Sequence, residues 1–187
     1  MILLFFTIMY YPNFIPKSAS SAVFETFLKI TPWKDGICSR TTKGKPSRKA
    51  YSVDMQATDN VNQSYVSFIT GCMSQLDINS EYAVLGIYAN YYRDGNDCAP
   101  THSHQGQTQL VVSFGASRKL IVKDKTFVMN SGDLIIFGPE PHSVPQQPEV
   151  TEPRISLATF MVRVDQIPKN VTILETDESM VVRLRQS

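Results

Sequence analysis

The chain contains few of the residues that mark several common protein classes. Its 187 residues include three cysteines, three histidines and one tryptophan. The 18 basic and 17 acidic side chains nearly cancel, which leaves a formal net charge of +1. A balanced charge excludes a global field that would attract nucleic acid or an acidic membrane surface. The length suits one domain with a sizeable core, so we predict a single domain over residues 1–187.

Cysteine usage and the apolar N-terminus bear on location. The cysteines Cys38, Cys72 and Cys98 are odd in number and lack metal-type spacing. This pattern favours a reducing compartment over a disulfide framework, so we expect a cytoplasmic or nuclear protein that is not secreted. The opening "MILLFFTIMYY" is too short to span a bilayer and lacks the flanks of a signal peptide. We expect it to be a buried strand rather than an interfacial anchor, and we expect no membrane partner.

Hydrophobic periodicity predicts two early helices followed by many strands. The stretch "SASSAVFETFLKITPW" begins with serines that can cap a helix, and its apolar residues recur at helical spacing. The stretch "NQSYVSFITGCMSQL" is a weaker helix candidate. From Tyr82 onward, short β-branched and aromatic runs are separated by Gly, Pro, Asn and Asp. These runs are "YAVLGIYANYY", "TQLVVSFG", "KLIVKD", "KTFVMN", "DLIIFG", "RISLATFMVRV" and "VTILET". This order indicates a mainly β fold with N-terminal helices (α+β), either a two-sheet barrel or a jelly roll.

The histidines are concentrated in one β region. Two lie two positions apart in "DGNDCAPTHSHQGQ", and the third lies in "GPEPHSVP". A strand places residues i and i+2 on the same face, so His102 and His104 would point at one ion. His142 would close the site from a neighbouring strand. Imidazole is a good ligand for iron, zinc, copper and nickel, so we predict a metal site at these three residues.

The sequence around the histidines resembles that of the AlkB-type dioxygenases, which use Fe(II) and 2-oxoglutarate. The stretch "NYYRDGNDCAPTHSH" resembles their Asn-x-Tyr-x-x-Gly-x-Asp and His-x-Asp pattern, and "SGDLIIFGPEPHSVP" resembles the run to the second iron histidine. The stretch "VSFGASRKLIV" resembles the strand-turn-strand that follows the first ligand pattern, and "PRISLATF" resembles the strand whose arginine holds the 2-oxoglutarate carboxylate. The segments "YYPNFIPKSASSAVFETFLKITPW" and "KPSRKAYS" resemble the N-terminal part of the family. The resemblance therefore covers most of the chain in order.

This resemblance implies a fold, two cofactors and a set of binding residues. The fold would be a double-stranded β-helix (jelly roll) over residues 81–175, preceded by an N-terminal extension and substrate-lid region over residues 1–80. Fe(II) would be held by His102, His104 and His142. Arg154 would bind the far carboxylate of 2-oxoglutarate as a bidentate fork, with hydrogen bonds from Asn90 and Tyr92. With oxygen as cosubstrate, the expected reactions are hydroxylation and oxidative demethylation.

The sequence departs from the family at two positions. His104 stands where the family has an aspartate ligand, and Phe160 stands where the family has a second, inward-facing arginine. Because one negative and one positive charge near the metal are both lost, the local net charge is unchanged. We therefore hypothesise that the two substitutions are coupled. Three-histidine iron sites occur in other β-barrel dioxygenases, so replacement of the aspartate is compatible with a metal site.

Substrate identity is weakly specified. The stretch "RTTKGKPSRK" carries five basic residues and no acid, and the matching family region borders nucleic acid. It predicts either a phosphate-tracking edge, with Arg48 and Tyr51 in contact with substrate, or a solvated loop. A base would have to be single-stranded or flipped to enter the site, and Tyr51 or Tyr65 would help to hold it. Protein and lipid substrates are also known in the family.

Two further interpretations stay open. The histidine pattern also resembles three-histidine cupin dioxygenases, although "QGQTQ" lacks the cupin glutamate. The chain could instead be an AlkB-like barrel without catalysis that serves as a binding or structural module, in which case a side chain such as Phe160 would fill the pocket. The sequence does not indicate an oligomeric state.

Overall fold

The structure is a computed structural model that describes residues 8–37, 46–167, 173–176 and 179–182. Several sequence predictions lie outside these ranges, namely those for residues 1–7, for Cys38, and for Arg40, Lys43 and Lys45 of the basic stretch. Among the described residues, no helix has the length and apolar character needed to cross a membrane.

Two α-helices, one short 3-10 helix (Val164–Gln166) and thirteen strands are described. The helices are α1 (Lys17–Ile30) and α2 (Asn60–Gln75). The first seven strands are β1 (Met9–Tyr11), β2 (Lys34–Ile37), β3 (Pro46–Ser52), β4 (Tyr82–Tyr92), β5 (Ala99–His102), β6 (Thr108–Gly115) and β7 (Arg118–Val122). The other six are β8 (Lys125–Met129), β9 (Leu134–Phe137), β10 (His142–Val144), β11 (Arg154–Arg163), β12 (Ile173–Thr176) and β13 (Ser179–Val182).

Both predicted helices are confirmed, with one difference in capping. Helix α2 begins after Asp59, whose carboxylate accepts hydrogen bonds from the backbone N–H groups of Val61 and Asn62. Helix α1 begins earlier than its serines suggested. Ser20 and Ser21 lie within the helix, where their hydroxyls donate to the carbonyl oxygen of Lys17 instead of capping the N-terminus.

The strands form two sheets, which confirms the predicted mainly β, jelly-roll class. The larger sheet has nine strands in the order β1-β9-β6-β11-β4-β13-β12, with β3 also paired to β4 and β2 paired to β3. The smaller sheet has the order β5-β10-β7-β8. Strand β11 lies between β6 and β4, antiparallel to both, and forms the centre of the larger sheet.

The larger sheet has two differently occupied faces because side chains alternate along each strand. On the outer face, Ile155, Leu157 and Met161 of β11 belong to a core cluster with Phe27 of α1 and Ile69 of α2. The inner face packs against the smaller sheet through a second cluster. The inner members are Tyr92, Ala99, Val111, Leu120, Val122, Met129, Ile135, Phe137 and Val144. The helices therefore cover one side and leave the space between the sheets open.

The described part of the apolar N-terminus differs from its prediction. It forms a strand, but β1 is three residues long and pairs only with β9 at the edge of the larger sheet. Met9 is 36% exposed, so this part is not a buried strand. At the other end, the tail segment β13 pairs with β4 and β12.

Two backbone segments that flank the smaller sheet are held together by close contacts. Gly95 donates from its N–H to the carbonyl oxygen of Val150 at 2.6 Å and accepts from the N–H of Gln147 at 2.8 Å. A Cβ at Gly95 would overlap the carbonyl oxygen of Gln147. The buried Arg118 adds side-chain hydrogen bonds to the carbonyl oxygens of Asp94, Asp97 and Pro145 at 2.8–2.9 Å. These contacts connect the loop before β5 to the loop after β10.

The contact at Gly95 predicts that Gly95→Ala lowers the free energy of unfolding by about 1–3 kcal/mol, because the added methyl group meets backbone that cannot give way. Gly71, within α2, is a matched control, because apart from its neighbours in the helix backbone no atom lies within 4 Å of its added Cβ. Gly71→Ala should raise the free energy of unfolding by about 0.5–1 kcal/mol through helix propensity. Urea titration of both variants measures the difference, and equal effects would contradict the close contact at Gly95.

Candidate metal centre and adjoining cavity

Three imidazoles converge between the two sheets. The ligand atoms of His102, His104 and His142 all lie within 4.8 Å of one another. Among the described residues, these three form the only such group of potential metal ligands. His102 and His142 are directly paired across β5 and β10, with ring centroids 4.3 Å apart. The structure therefore brings together all three histidines that the sequence nominated.

The path of the chain to His104 differs from the predicted one. Strand β5 ends at His102, and His104 lies in the following turn, which closes through Gly106 at a φ of +69°. Strand alternation is therefore not what aims the second imidazole at the site. Its ring packs against Phe160 of β11 instead, with the centroids 4.5 Å apart. A contact from the larger sheet thus positions a ligand candidate carried by a turn.

Backbone carbonyl groups orient two of the rings. The Nδ1 atom of His102 lies 2.7 Å from the carbonyl oxygen of Pro100, and that of His142 lies 2.9 Å from the carbonyl oxygen of Glu140. A carbonyl oxygen only accepts, so each Nδ1 carries the proton and each Nε2 keeps its lone pair. This fixed tautomer is the arrangement that metal-binding histidines adopt.

Burial keeps two of the imidazoles neutral. The pKa of His142 is lowered to about 4, chiefly by desolvation. The hydrogen bond to the carbonyl oxygen of Glu140 opposes this shift, and the nearby His102 and His104 add to it. Desolvation, followed by the charge of His102, also lowers the pKa of His104. A neutral imidazole is the form that coordinates a metal, so the site is prepared for an ion near neutral pH.

A cavity of about 480 Å³ adjoins the histidines and contains a buried arginine. Arg154 is 1% exposed, and its Nε donates to Ser113 Oγ at 2.9 Å. Its Nη1 is buried with no hydrogen-bond partner within the described part of the chain. Desolvation lowers the pKa of Arg154, and the cation also lies 5.2 Å from the centre of the Tyr92 ring. A buried cation with an unsatisfied donor is costly unless an anion joins it.

The inner face of the larger sheet is organised in four rows of residues that oppose one another across β6, β11 and β4. From one end to the other, the rows are Gly115/Arg154/Tyr92, Ser113/Ser156/Asn90, Val111/Ala158/Tyr88 and Gln109/Phe160/Gly86. Six residues separate the first row from the last along β11, which is about 20 Å of extended chain. The first two rows are polar, and the last row contacts His104 through Phe160.

The cofactor residues that the resemblance nominated share the polar end of this cavity. Asn90, Tyr92 and Arg154 all line it. Arg48 of β3 lines it too, and its Nε donates to Asn90 Oδ1 at 2.7 Å. The nominated substrate residue Arg48 therefore lies beside a nominated cofactor residue.

Tyr51 and Tyr65 do not reach the cavity. Tyr51 lies three residues after Arg48 in β3, so its side chain is on the opposite face of the sheet. Its hydroxyl donates to Asn62 Oδ1 at 2.9 Å on the side that the helices cover. Tyr65 is fully buried against Phe27, with the two ring centroids 4.2 Å apart. Both tyrosines pack with the outer core cluster, so the prediction that they hold a substrate base disagrees with their positions.

The residues of the cavity wall that the sequence analysis did not identify include Gln109 and Tyr88. Gln109 is 2% exposed and lines the cavity, as does Tyr88, which is 44% exposed. One signal was available, since Gln109 is a polar residue inside the apolar run "TQLVVSFG". Counting in steps of two along β4 from Asn90 would also have placed Tyr88 on the inner face.

No family model and no curated protein matches the chain. Solved structures do match, at low identity. HygX from Streptomyces hygroscopicus, solved with nickel, 2-oxoglutarate and hygromycin B, has 8% identity and a TM-score of 0.61, over 83% of this chain and 82% of that one. A 2OG-Fe(II) oxygenase family member from Burkholderia pseudomallei has 12% identity and a TM-score of 0.59, over 83% and 84%. OsALKBH1 has 12% identity and a TM-score of 0.58, over 81% and 96%. The chain therefore has the fold of the 2-oxoglutarate-Fe(II) oxygenases.

The geometry predicts that His102→Ala and His142→Ala each abolish stoichiometric binding of one divalent ion, because the chain has only three histidines and each variant leaves two. Titration calorimetry with Ni²⁺ or Zn²⁺ measures the stoichiometry. Gln105→Ala, in the exposed turn beside His104, is the control and should bind one ion. Full metal content in both histidine variants would place the site elsewhere.

Proposed function

We propose that the chain is an Fe(II)/2-oxoglutarate-dependent oxygenase that hydroxylates or oxidatively demethylates its substrate. The observation that carries the proposal is the buried Arg154, whose Nη1 has no hydrogen-bond partner in the described structure, in the same cavity as the three histidines. When bound, iron and 2-oxoglutarate would supply the oxygen activation needed to insert an oxygen atom into a C–H bond.

The residues present fit both groups. His102 and His142 present their Nε2 lone pairs, and His104 completes the cluster, so these three histidines would hold the metal. Arg154 would take the far carboxylate of 2-oxoglutarate, with Asn90 and Tyr92 beside it. The cavity volume of about 480 Å³ is typical of small-molecule sites and stays open although Phe160 lines it. This open space favours a working site over a barrel whose pocket is filled by side chains.

Arg154→Ala and Arg154→Lys should both lose about 2–5 kcal/mol of 2-oxoglutarate binding, because a buried carboxylate would lose its bidentate partner and an ammonium cannot replace that fork. Calorimetry with zinc-loaded protein measures the affinity. Arg163→Lys is a matched control on the same strand, since the Arg163 guanidinium bonds Asp165 outside the cavity and is not among its lining residues. Unchanged affinity in Arg154→Lys, or absence of binding in the wild type, would argue against the cosubstrate.

The contact between His104 and Phe160 supports the hypothesis that the two substitutions are coupled. A carboxylate at position 104 would face the Phe160 ring, which offers no positive partner, whereas a neutral imidazole packs on that ring at 4.5 Å. An arginine at position 160 would restore a counter-charge for a carboxylate. The pair therefore acts as one unit in which the ligand and its neighbour must change together.

His104→Asp alone should lower 2-oxoglutarate turnover, because the new carboxylate is left without a charged partner in a partly buried site. The double variant His104→Asp/Phe160→Arg should recover part of the loss. Succinate formation under air with Fe(II) and ascorbate is the readout. Turnover above the wild-type level in His104→Asp would instead indicate a decayed enzyme, and no turnover in any form would favour a binding module.

For the substrate, we propose a nucleic-acid base, single-stranded or flipped out of a duplex. The support is the resemblance of "NYYRDGND" and "KPSRKAYS" to the AlkB-type family, together with Arg48 at the cavity. In the same assay, an N-methylated single-stranded oligonucleotide should release formaldehyde in step with succinate. Succinate without formaldehyde would keep the oxygenase proposal and remove the demethylation of nucleic acid.

A further inference from the structure

The end of the cavity farthest from Arg154 contains an aromatic corner. Phe160 and Tyr88 meet edge to face, with ring centroids 5.4 Å apart and planes at 78°. Gly86 opposes Phe160 on the adjacent strand, and a Cβ there would meet only Tyr88 Cε2 at 3.4 Å. The wall next to the two rings is therefore without a side chain. A flat group fits against such a corner because aromatic faces and edges favour stacked or edge-to-face partners.

Gln109 supplies an unsatisfied amide beside this corner. It lies directly opposite Phe160 across β6 and β11 and lines the cavity. Its Nε2 is buried and has no hydrogen-bond partner among the described residues. Buried amides almost always have partners, so an orphaned one in a cavity wall indicates a missing acceptor. Its last side-chain torsion is broad, so the amide can turn towards a carbonyl oxygen without leaving its rotamer.

This end of the cavity carries no formal charge. None of the residues that line the cavity is aspartate or glutamate. The lining arginines, Arg154 and Arg48, belong to the polar end, where Arg48 bonds Asn90. With 2-oxoglutarate bound, its two negative charges would balance a divalent ion at the histidines. A cationic group at the aromatic corner would then have no counter-charge, and an anionic group would have no unpaired cation beside it. Burying an unpaired charge is costly, so the corner selects against both.

From these three features we infer that Tyr88, Phe160, Gly86 and Gln109 form a substrate subsite for a neutral planar ring that carries a carbonyl group. The inference rests on the proposed oxygenase function, because it assigns a substrate class to that same cavity. The rings of Tyr88 and Phe160 hold the plane of the substrate, and Gln109 donates to its carbonyl oxygen. The contact of Phe160 with His104 places this ring next to the metal ligands. An unpaired base with a ring carbonyl belongs to this class.

Three probes of one shape and different charge test the subsite. They are benzamide, which is neutral and has a carbonyl acceptor, the benzamidinium cation and the benzoate anion. The full chain is loaded with Zn²⁺ and saturated with 2-oxoglutarate, so that Arg154 is occupied and no turnover occurs. Ligand-observed NMR measures the dissociation constants. Benzamide should bind at least tenfold more tightly than benzamidinium or benzoate. If either ion bound as tightly as benzamide, the proposed selection by charge would be wrong.

Gln109→Leu tests the donor. The variant keeps the side-chain size and should weaken benzamide binding by about five- to tenfold, because one buried hydrogen bond is lost. Its melting temperature should stay the same or rise, since an unsatisfied buried amide is replaced by an apolar group. Gln75→Leu, at the exposed end of α2, is the matched control and should change neither quantity. Equal benzamide affinity in wild type and Gln109→Leu would overturn the assignment.

Gly86→Val tests the corner itself, because its side chain would occupy the open wall next to Tyr88. It should abolish benzamide binding while zinc and 2-oxoglutarate still bind. Two outcomes distinguish a wrong subsite from a wrong cosubstrate. Benzamide binding that depends on Gln109 but occurs without any 2-oxoglutarate affinity would leave the subsite and remove the proposed cosubstrate. Binding of 2-oxoglutarate without benzamide binding would overturn the subsite alone.

Discussion

The position of the three histidines depends on the hydrogen bonds of the buried Arg118 guanidinium. The two strands that carry His102 and His142 are only four and three residues long, too short to fix their own positions. Arg118 donates to carbonyl oxygens in the loop before one strand and in the loop after the other. The backbone contact at Gly95 joins the same two loops. These contacts hold both short strands, and therefore the imidazoles of His102 and His142, in fixed relative positions.

The cavity needs a second constraint, which is the central position of β11 in the larger sheet. Its outward side chains bury against α1 and α2, which fixes the register of the strand. Its inward side chains then run from a cation, through serine and alanine, to an aromatic ring. One strand thus sets the polarity of the whole cavity, with the charged end at Arg154 and the neutral end at Phe160. A one-residue slip in register would exchange these two sets of side chains.

The buried polar groups of the cavity lower the stability of the fold unless a ligand satisfies them. The Nη1 of Arg154 and the Nε2 of Gln109 both lack partners among the described residues. A core built for stability alone would carry apolar residues at these positions, since an unsatisfied buried donor costs about 1–3 kcal/mol. The two groups lie in opposite end rows of the inner face, on β11 and β6. Their separation agrees with two ligands, one anionic and one neutral, that bind side by side.

The sequence by itself predicted the fold class, both helices and the convergence of the three histidines, because these depend on local periodicity and residue chemistry. The prediction that Tyr51 and Tyr65 bind a substrate disagrees with the structure, in which both pack with the outer core cluster. A tyrosine suits a core as well as a binding site, and only the face on which it lies distinguishes the two. The expected strand alternation does not place His104, because β5 ends at His102 and the His104 ring packs on Phe160 from the following turn.

Only the tertiary structure decided which residues share the cavity. Arg48 meets Asn90, and Gln109 meets Phe160, across residue separations that no local pattern encodes. These pairings arise from strand order and register, which are set by burial over the whole sheet.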